Sequence, residues 1–147
     1  MADVAAQRPR IAISIGDPNG IGPEIALKAA ARLDSSGAAQ AVLVGDRHVI
    51  ESYRRRLGVD KPLADFERAD AAHEIAVCNV DALPEDAFEP GQICAEAGRA
   101  TIAYVSRCVE LVRSAQCAAI VGCPQNETAV HQAGIAFSGY PPLIADL

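Results

Sequence analysis

Three short apolar runs each end in a glycine followed by polar or turn-forming residues, and this repeat constrains the fold more than any other feature. The runs end at Gly16, Gly45 and Gly122. Segments in which apolar residues recur at helical spacing lie between the runs. This alternation is typical of βα units, in which helices connect parallel strands. The sequence therefore predicts a three-layer α/β/α fold with a mostly parallel sheet.

The boundaries of the elements follow from turn and breaker residues. Strands are predicted at residues 10–15, 41–44, 74–80 and 118–121. Helices are predicted to begin at Pro23 and end near residue 34, and to span residues 47–57, 98–114 and 127–133. The segments predicted to be irregular are 61–72, 81–92 and 135–142.

The spacing of apolar residues also predicts which helix faces are buried. On the first helix the predicted buried stripe is Ile25, Ala29 and Leu33. On the long third helix the predicted stripe is Ile102, Val105, Val109 and Val112. Each stripe is expected to pack on the sheet.

Composition excludes several classes of partner. Half of the residues are apolar, 22% are charged and the formal net charge is -6. A negative chain is poorly suited to a phosphate backbone, so no nucleic acid is expected. No run approaches the roughly 18 apolar residues that cross a bilayer, and residues 1–9 resemble a disordered tail rather than a secretory signal. These features predict a cytoplasmic protein without a membrane partner.

The five cysteines contain no C-x-x-C pair, and their odd number argues against a disulfide framework. Buried, reduced thiols are therefore expected. Cys123 follows the apolar run at residues 118–121 and could face a site at a strand end. A nucleophilic role would need a neighbouring base, and the sequence shows none.

The loop GDPNGIGPE (residues 16–24) is the most informative motif. Its glycines do not match the spacing of the dinucleotide-binding or the P-loop motif. Gly20 and Gly22 would allow a ligand to approach the backbone closely, and the start of the following helix would offer N–H groups to an anion. A tight turn in which Asp17 caps backbone donors is the alternative. Parallel strands bring their ends to one edge, so a ligand crevice is expected there.

Residues 10–28, RIAISIGDPNGIGPEIALK, resemble the opening of the 4-hydroxythreonine-4-phosphate dehydrogenase family. The GIGPE core at residues 20–24 is more loosely similar to isocitrate and isopropylmalate dehydrogenases, and residues 118–147 form a second matching block. The resemblance implies an isocitrate/isopropylmalate dehydrogenase-like fold. It implies that residues 10–147 are the N-terminal α/β portion of a two-domain dehydrogenase. The catalytic residues and metal ligands are then expected beyond Leu147, and the chain alone is expected to be inactive.

The second block departs from the family pattern. Asn126 matches, but Glu127 replaces a lysine, and Tyr140 with Pro141 replaces a His-Thr pair that contacts substrate in the family. The sequence around these positions resembles that of a related branch, the cis-dihydrodiol dicarboxylate dehydrogenases of terephthalate breakdown. The resemblance supplies the following candidate substrate-binding residues: Asp17, Asn126, Glu127, Ser138, Tyr140 and Pro141.

For that branch the resemblance implies oxidation and decarboxylation of a cis-dihydrodiol dicarboxylate, with NAD or NADP and a divalent metal ion as cofactors. It also implies a homodimer. His48, His73 and His131 do not match the family's metal-binding histidines, and their spacing fits no common ligand pattern. Two alternatives remain open: 4-hydroxythreonine-4-phosphate dehydrogenase activity, and a non-catalytic α/β ligand-binding module.

Overall fold

The computed structural model describes residues 8–70 and 72–147. Five strands form one sheet, in the order β3-β4-β2-β1-β5, and every pair is parallel. The strands are β1 (Arg10–Ser14), β2 (Gln40–Gly45), β3 (Leu63–Asp65), β4 (Ile75–Asn79) and β5 (Ala119–Gly122). The helices are α1 (Gly22–Ser36), α2 (Arg47–Arg56), α3 (Ala95–Arg113), α4 (Glu127–Gln132) and α5 (Tyr140–Asp146).

The order of the strands creates a change of winding direction at β1. The chain runs from β1 to β2 and on to β4, and then returns to place β5 on the other side of β1. Such a point opens a crevice beyond the carboxyl ends of the two strands, because their connections leave in opposite directions. The predicted mostly parallel sheet is therefore confirmed, and it directs attention to the ends of β1 and β5.

Helices cover both faces of the sheet. On one face, Ile13, Leu43 and Val77 pack with residues of α1 and α2. On the other face, strand residues that include Val42 pack with Leu111 of α3. The strands alternate between these two cores because successive side chains point to opposite faces. This arrangement confirms the predicted three layers.

The predicted stripe of α1 is wrong at Ile25 and Ala29, whereas its third residue, Leu33, is half-buried and packs against the core. Ile25 is 40% exposed and Ala29 is also exposed, whereas the buried residues of the helix body are Ala26, Leu27, Ala30 and Asp34. The observed stripe has the same helical spacing as the predicted one. It places alanine methyl groups against the sheet, which allows a close approach of helix and sheet. On α3 the predicted stripe is confirmed at Val105 and Val109, which are buried.

Three elements occur where irregular chain was predicted. Strand β3 lies within segment 61–72 and pairs with β4 at the edge of the sheet. Helix α5 begins at Tyr140, within segment 135–142, and Pro141 and Pro142 occupy its first turn. Proline fits there because the first N–H groups of a helix have no partner within the helix. Segment 81–92 also contains a short 3₁₀ helix, Glu85–Ala87.

The loop that follows β4 is anchored by a buried carboxylate. Asp46 is fully buried and accepts hydrogen bonds from the N–H groups of Ala82 (2.8 Å) and Leu83 (2.6 Å). The Tyr104 hydroxyl of α3 donates to the same carboxylate at 2.6 Å. Burial beside this carboxylate raises the pKa of Tyr104, so the phenol stays neutral and keeps donating.

The amino-terminal boundary of the fold lies close to β1. Residues 1–7 of the predicted disordered tail lie outside the described residues. The carbonyl of Pro9 accepts a hydrogen bond from Gln40 N–H at 2.9 Å, so the chain already pairs with β2 at this residue. No helix of the described chain has the length and apolar character needed to cross a membrane.

Candidate functional site at the carboxyl ends of β1 and β5

The loop after β1 and the turn after β5 touch through their backbones. The N–H of Asp17 donates to the carbonyl of Pro124 at 2.9 Å. A Cβ added to Gly16, whose φ is +72°, would lie 2.1 Å from the same carbonyl oxygen. Only glycine permits both this φ and this approach. The two segments therefore form one wall of the expected crevice.

Asp17 caps the glycine-rich loop. Its side chain accepts a hydrogen bond from Asn19 N–H at 3.0 Å, and its carbonyl accepts one from Gly20 N–H at 3.0 Å. The residue is 6% exposed. Burial raises the pKa of Asp17, and the hydrogen bond from Asn19 N–H partly offsets this. The tight-turn alternative describes the observed geometry, while contact of Asp17 with substrate stays a prediction.

Packing explains the last glycine of the loop. A Cβ on Gly22 would lie 2.1 Å from the carbonyl oxygen of Ile15. This glycine thus allows α1 to start directly against the end of β1. The loop gains its compactness from the protein contacts of Gly16 and Gly22.

Asn19 joins this loop to a distant segment, which the sequence did not indicate. Its side chain donates to the carbonyl of Ala87 at 3.1 Å and accepts from Glu89 N–H at 2.9 Å. Its own carbonyl accepts from Gly91 N–H at 2.7 Å. Because Asn19 is 2% exposed, these bonds are shielded from water. They fix the segment after β4 beside the glycine-rich loop.

A cavity of about 350 Å³ opens beside the same loop. The Tyr53 hydroxyl lies in its wall and donates to the carbonyl of Gly20 at 2.8 Å. Arg56 and Glu24 contribute opposite charges to the wall, and Glu24 is already ion-paired with Lys28. The hydrogen bond and the charge of Lys28 are the main causes that lower the pKa of Glu24, and Arg56 adds to this, so the charge of Arg56 is partly offset across the cavity wall.

Tyr140 lies against the turn after β5. Its hydroxyl donates to the carbonyl of Cys123 at 2.6 Å, and its ring meets the Phe137 ring edge-on with centroids 6.2 Å apart. A Cβ on Gly122 would lie 2.9 Å from the Tyr140 ring. Burial raises the pKa of Tyr140, so the hydroxyl is protonated at neutral pH. The structure thus brings Tyr140 to the edge where Asp17 lies.

The other candidates occupy the start of α4 and the approach to α5. Asn126 is the N-cap of α4, and its side-chain oxygen accepts from Ala129 N–H at 3.1 Å. Glu127 is exposed in the first turn of that helix, where its charge interacts favourably with the helix dipole. Ser138 and Pro141 are exposed on either side of Gly139. Contact of these four residues with substrate stays a prediction.

The described residues do not fit a divalent metal. Within residues 8–70 and 72–147, no group of three or more His, Cys, Asp or Glu side chains could hold a metal ion. His131 is used locally, because its Nε2 lies 3.1 Å from the carbonyl of Phe137. His48 packs edge-on against Phe88.

The thiols are free, as predicted. Those that are buried, with at most 4% exposure, are Cys78, Cys108, Cys117 and Cys123. Burial raises the pKa of Cys123 to about 11, so this thiol is protonated at neutral pH and is a poor nucleophile. Cys94 is half-buried, and Asn19 Nδ2 lies 3.6 Å from its Sγ.

The family model described as "Pyridoxal phosphate biosynthetic protein PdxA" matches residues 37–147. The chain belongs to the PdxA family. Its fold agrees with solved structures of this family. One is a 4-hydroxythreonine-4-phosphate dehydrogenase from Burkholderia phymatum, with a TM-score of 0.85 and 28% identity over 95% of this chain and 43% of that chain.

Relatives in the PdxA family also include dihydrodiol dehydrogenases. A 1,2-dihydroxy-3,5-cyclohexadiene-1,4-dicarboxylate dehydrogenase from Comamonas is 34% identical over 94% of this chain and 41% of its own length. The structure of a terephthalate 1,2-cis-dihydrodiol dehydrogenase from Burkholderia xenovorans LB400 gives a TM-score of 0.72 and 41% identity, covering 88% of this chain and 38% of that chain. The chain spans about two fifths of the length of these relatives.

Proposed function

We propose that the protein carrying this chain oxidises a cis-dihydrodiol dicarboxylate with NAD or NADP and releases one carboxylate as carbon dioxide. In this reaction a ring carbon that bears a hydroxyl loses a hydride, and the hydroxyl loses its proton. The adjacent carboxylate leaves as carbon dioxide, its bonding electron pair stays with the ring, and the ring becomes aromatic. The nicotinamide, when bound, supplies the hydride acceptor.

The position of Tyr140 carries this proposal. The ring sits at the carboxyl edge of the sheet beside Gly122, and the bond from its hydroxyl to the Cys123 carbonyl fixes its orientation. A flat ring that is held in place suits a six-membered carbocycle, and the hydroxyl oxygen can still accept a hydrogen bond from a substrate hydroxyl. Tyr140 would then bind and orient the ring.

Glu127 disfavours a phosphorylated substrate, although its charge by itself does not select a dicarboxylate, which is also an anion. Its exposed carboxylate stands where the family pattern has a lysine. Replacing a cation with an anion changes the sign of the Coulomb interaction with a phosphate group. The higher TM-score of the Burkholderia phymatum enzyme does not oppose the dicarboxylate branch, because similarity of fold does not specify the substrate.

We propose a divalent metal as a cofactor of the whole protein and not of the 147-residue chain alone. Among the described residues no side-chain cluster provides its ligands, and the glycine-rich loop is packed internally. We therefore expect the 147-residue chain alone to form no NADH from a cis-dihydrodiol dicarboxylate, even with added divalent metal. Formation of NADH above a buffer control would contradict this expectation.

The substrate can be tested in the longest natural protein that carries this chain. The triple variant Glu127→Lys, Tyr140→His, Pro141→Thr should lower kcat/KM for the dihydrodiol dicarboxylate by roughly threefold to tenfold, the effect of losing one hydrogen bond. Binding of 4-hydroxythreonine 4-phosphate should improve. Glu67→Lys makes the same charge change at an exposed position near β3 and serves as the control.

Each outcome of this comparison decides between functions. Unchanged kinetics in the triple variant would show that these residues do not select the substrate. Turnover of the phosphate compound by the natural protein would establish the alternative dehydrogenase activity. Absence of turnover with either compound, in a folded protein supplied with metal and cofactor, would favour a ligand-binding module.

We also propose that the whole protein forms a homodimer. Val121 on β5 is 48% exposed and Ile144 on α5 is 37% exposed, which leaves apolar surface at this end of the sheet. Leu143 on α5 and Leu147, which follows this helix, are half-buried. Light scattering after size exclusion should give twice the mass of one chain. A fully active monomer would exclude a site shared between subunits.

A further inference from the structure

A second concave surface lies at the amino ends of the strands, while the glycine-rich loop lies at their carboxyl ends. It is an open cavity of about 950 Å³ near the amino ends of β1, β2 and β5. The residues of its wall that matter here are Arg8, Arg10, Gln40, Asp70, Gln116 and Cys117. None of them belongs to the candidate substrate site, so this cavity is independent of the proposed function.

Arg10 is held in the cavity wall by neutral groups. Its Nε donates to the side-chain oxygen of Gln40 at 3.1 Å, and its guanidinium carbon lies 5.9 Å from the centre of the Phe66 ring. Gln40 is itself fixed, because its amide donates to the carbonyl of Ala69 at 3.3 Å. The hydrogen bond to Gln40 occupies the Nε edge of the guanidinium, and the Phe66 ring covers one of its faces. They leave its terminal nitrogens in a fixed orientation.

The charge of Arg10 is not balanced by a neighbouring carboxylate. Most arginines in the described chain form ion pairs within 4.0 Å, as Arg54 does with Glu51. Arg10 is half-buried and forms none with residues 8–70 or 72–147. Arg8 is exposed and also forms none with these residues, but its charge lies close enough to Asp34 to offset part of the rise that burial causes in the pKa of that carboxyl. A partly desolvated cation without a counter-charge is unfavourable unless an anion binds it.

The remaining wall is compatible with a small anion. Arg8 adds a second cation, and the Gln116 side chain is exposed and adds a neutral donor. Asp70 is the one carboxylate among the lining residues. Its side-chain oxygen accepts a hydrogen bond from Ala72 N–H at 2.9 Å, which partly satisfies it. Arg10 is therefore the cation that faces the cavity without a nearby carboxylate among the described residues, and Arg8 shares its charge with Asp34 behind the wall.

We propose that this cavity binds a small molecule bearing a phosphate or carboxylate group, with Arg10 as the main contact and Arg8 as the second. The guanidinium fork of Arg10 can give two parallel hydrogen bonds to such an oxyanion. Cys117, which is 4% exposed, and the neighbouring alanines provide an apolar surface for the rest of the ligand. The site lies at the amino ends of the strands, whereas the proposed chemistry lies at their carboxyl ends.

Titration of the ¹⁵N-labelled 147-residue chain by NMR tests this site. Inorganic phosphate and succinate serve as separate probes, with chloride used to hold the ionic strength constant. We expect saturable shifts of the amides of Arg8, Arg10, Gln40 and residues 116–118. Saturation with phosphate alone assigns the site to phosphate compounds, and saturation with succinate as well extends it to carboxylates. No saturable shift with either probe would overturn the proposal.

Variants separate a specific site from general attraction by charge. Arg10→Gln should weaken binding by about tenfold or more, because a charged bidentate contact is lost. Arg8→Gln should weaken it less. Arg32→Gln removes an exposed arginine of α1 that forms no ion pair with the described residues, and it should change the affinity less than about twofold.

An equal loss of affinity in Arg10→Gln and Arg32→Gln would overturn the proposal. Circular dichroism verifies that each variant is folded. If Arg10→Gln does not fold, Arg10→Lys replaces it. This variant keeps the charge but loses the fork, and we expect several-fold weaker binding of phosphate. Unaltered binding in both Arg10→Lys and Arg8→Gln would also contradict the assignment.

Discussion

The hydroxyl of Tyr140 donates a 2.6 Å hydrogen bond to the carbonyl oxygen of Cys123. This bond ties the start of α5 to the turn that leaves β5. The same turn is bonded to the glycine-rich loop, because the N–H of Asp17 donates to the carbonyl of Pro124. A single phenol therefore links the last helix to both strand ends that flank the candidate site.

Removing this hydroxyl should loosen that connection. Tyr140→Phe keeps the ring against Gly122 but leaves the carbonyl of the buried Cys123 without this donor. We expect the free energy of unfolding to fall by about 0.5–1.5 kcal/mol, measured by urea denaturation. Ser138→Ala is the control, because Ser138 is exposed and makes no hydrogen bond through its side chain in the described chain. Equal stability of Tyr140→Phe and the wild type would show that the bond contributes nothing.

Gly98 should be required where α3 meets α4. A Cβ at this position would lie 2.1 Å from the carbonyl oxygen of Ala129. An alanine within a helix normally stabilises by about 0.5–1 kcal/mol relative to glycine, but overpacking costs about 1–3 kcal/mol. Gly98→Ala should therefore destabilise the chain by about 1–2 kcal/mol in thermal or urea unfolding.

The neighbouring Arg99→Ala provides the comparison for Gly98→Ala. Arg99 is exposed and forms a surface ion pair with Glu96 on the same helix. Its loss should change the stability by less than about 0.5 kcal/mol. A Gly98→Ala variant that is more stable than the wild type would mean that α4 can move away from α3 without cost.

The sequence predicted the sheet well because burial leaves a local signal. Strands β1, β2, β4 and β5 are apolar runs that end in turn-forming residues, and the parallel arrangement follows from the helices between them. Strand β3 was missed because three residues are too short for a pattern to appear. Helix α5 was missed because Pro141 and Pro142 are typical of loops, although they also fit the first turn of a helix.

The candidate site was predictable only in part. The grouping of Asp17 with the turn at Pro124 follows from the common edge of parallel strands. The bonds from Asn19 to Ala87 and Glu89 could not be foreseen, since they join segments about 70 residues apart and no periodic pattern encodes them. The internal bond of the Tyr140 hydroxyl likewise appears only in three dimensions.

The cysteines should differ sharply in reactivity. Cys94 is half-buried, whereas the other four thiols are at most 4% exposed. In the native protein at about pH 8, iodoacetamide should modify Cys94 first, because access and thiolate formation control the rate. Intact-mass analysis should show one adduct, and denaturation should release the remaining four sites. Cys94→Ser should abolish the native adduct. Equally fast labelling of Cys123 would reveal that the turn after β5 opens readily.

Acid stability should depend on Glu51, which accepts hydrogen bonds from Arg54 and Arg55 on α2. The bonds from Arg54 are the main cause that lowers the pKa of Glu51 from 4.5 to about 2, and the Arg55 side chain adds to this. The folded-state pKa thus lies below the unfolded one. The stabilisation is therefore complete above about pH 5 and is lost as the pH falls through 4.5 toward 2.

The size of this effect is limited by solvent, because the Glu51 side chain is 25% exposed and that of Arg55 is 75% exposed. At about pH 7, Glu51→Gln should lower the free energy of unfolding by about 0.5–1 kcal/mol. The difference from the wild type should shrink as the pH falls through 4.5 and should be lost below about pH 2, where both side chains are neutral. Glu67→Gln, at an exposed residue without an ion pair in the described chain, should follow the wild type at every pH. A Glu51→Gln deficit that stays constant from about pH 7 to about pH 2 would assign the stabilisation to packing rather than to the charge of the carboxylate.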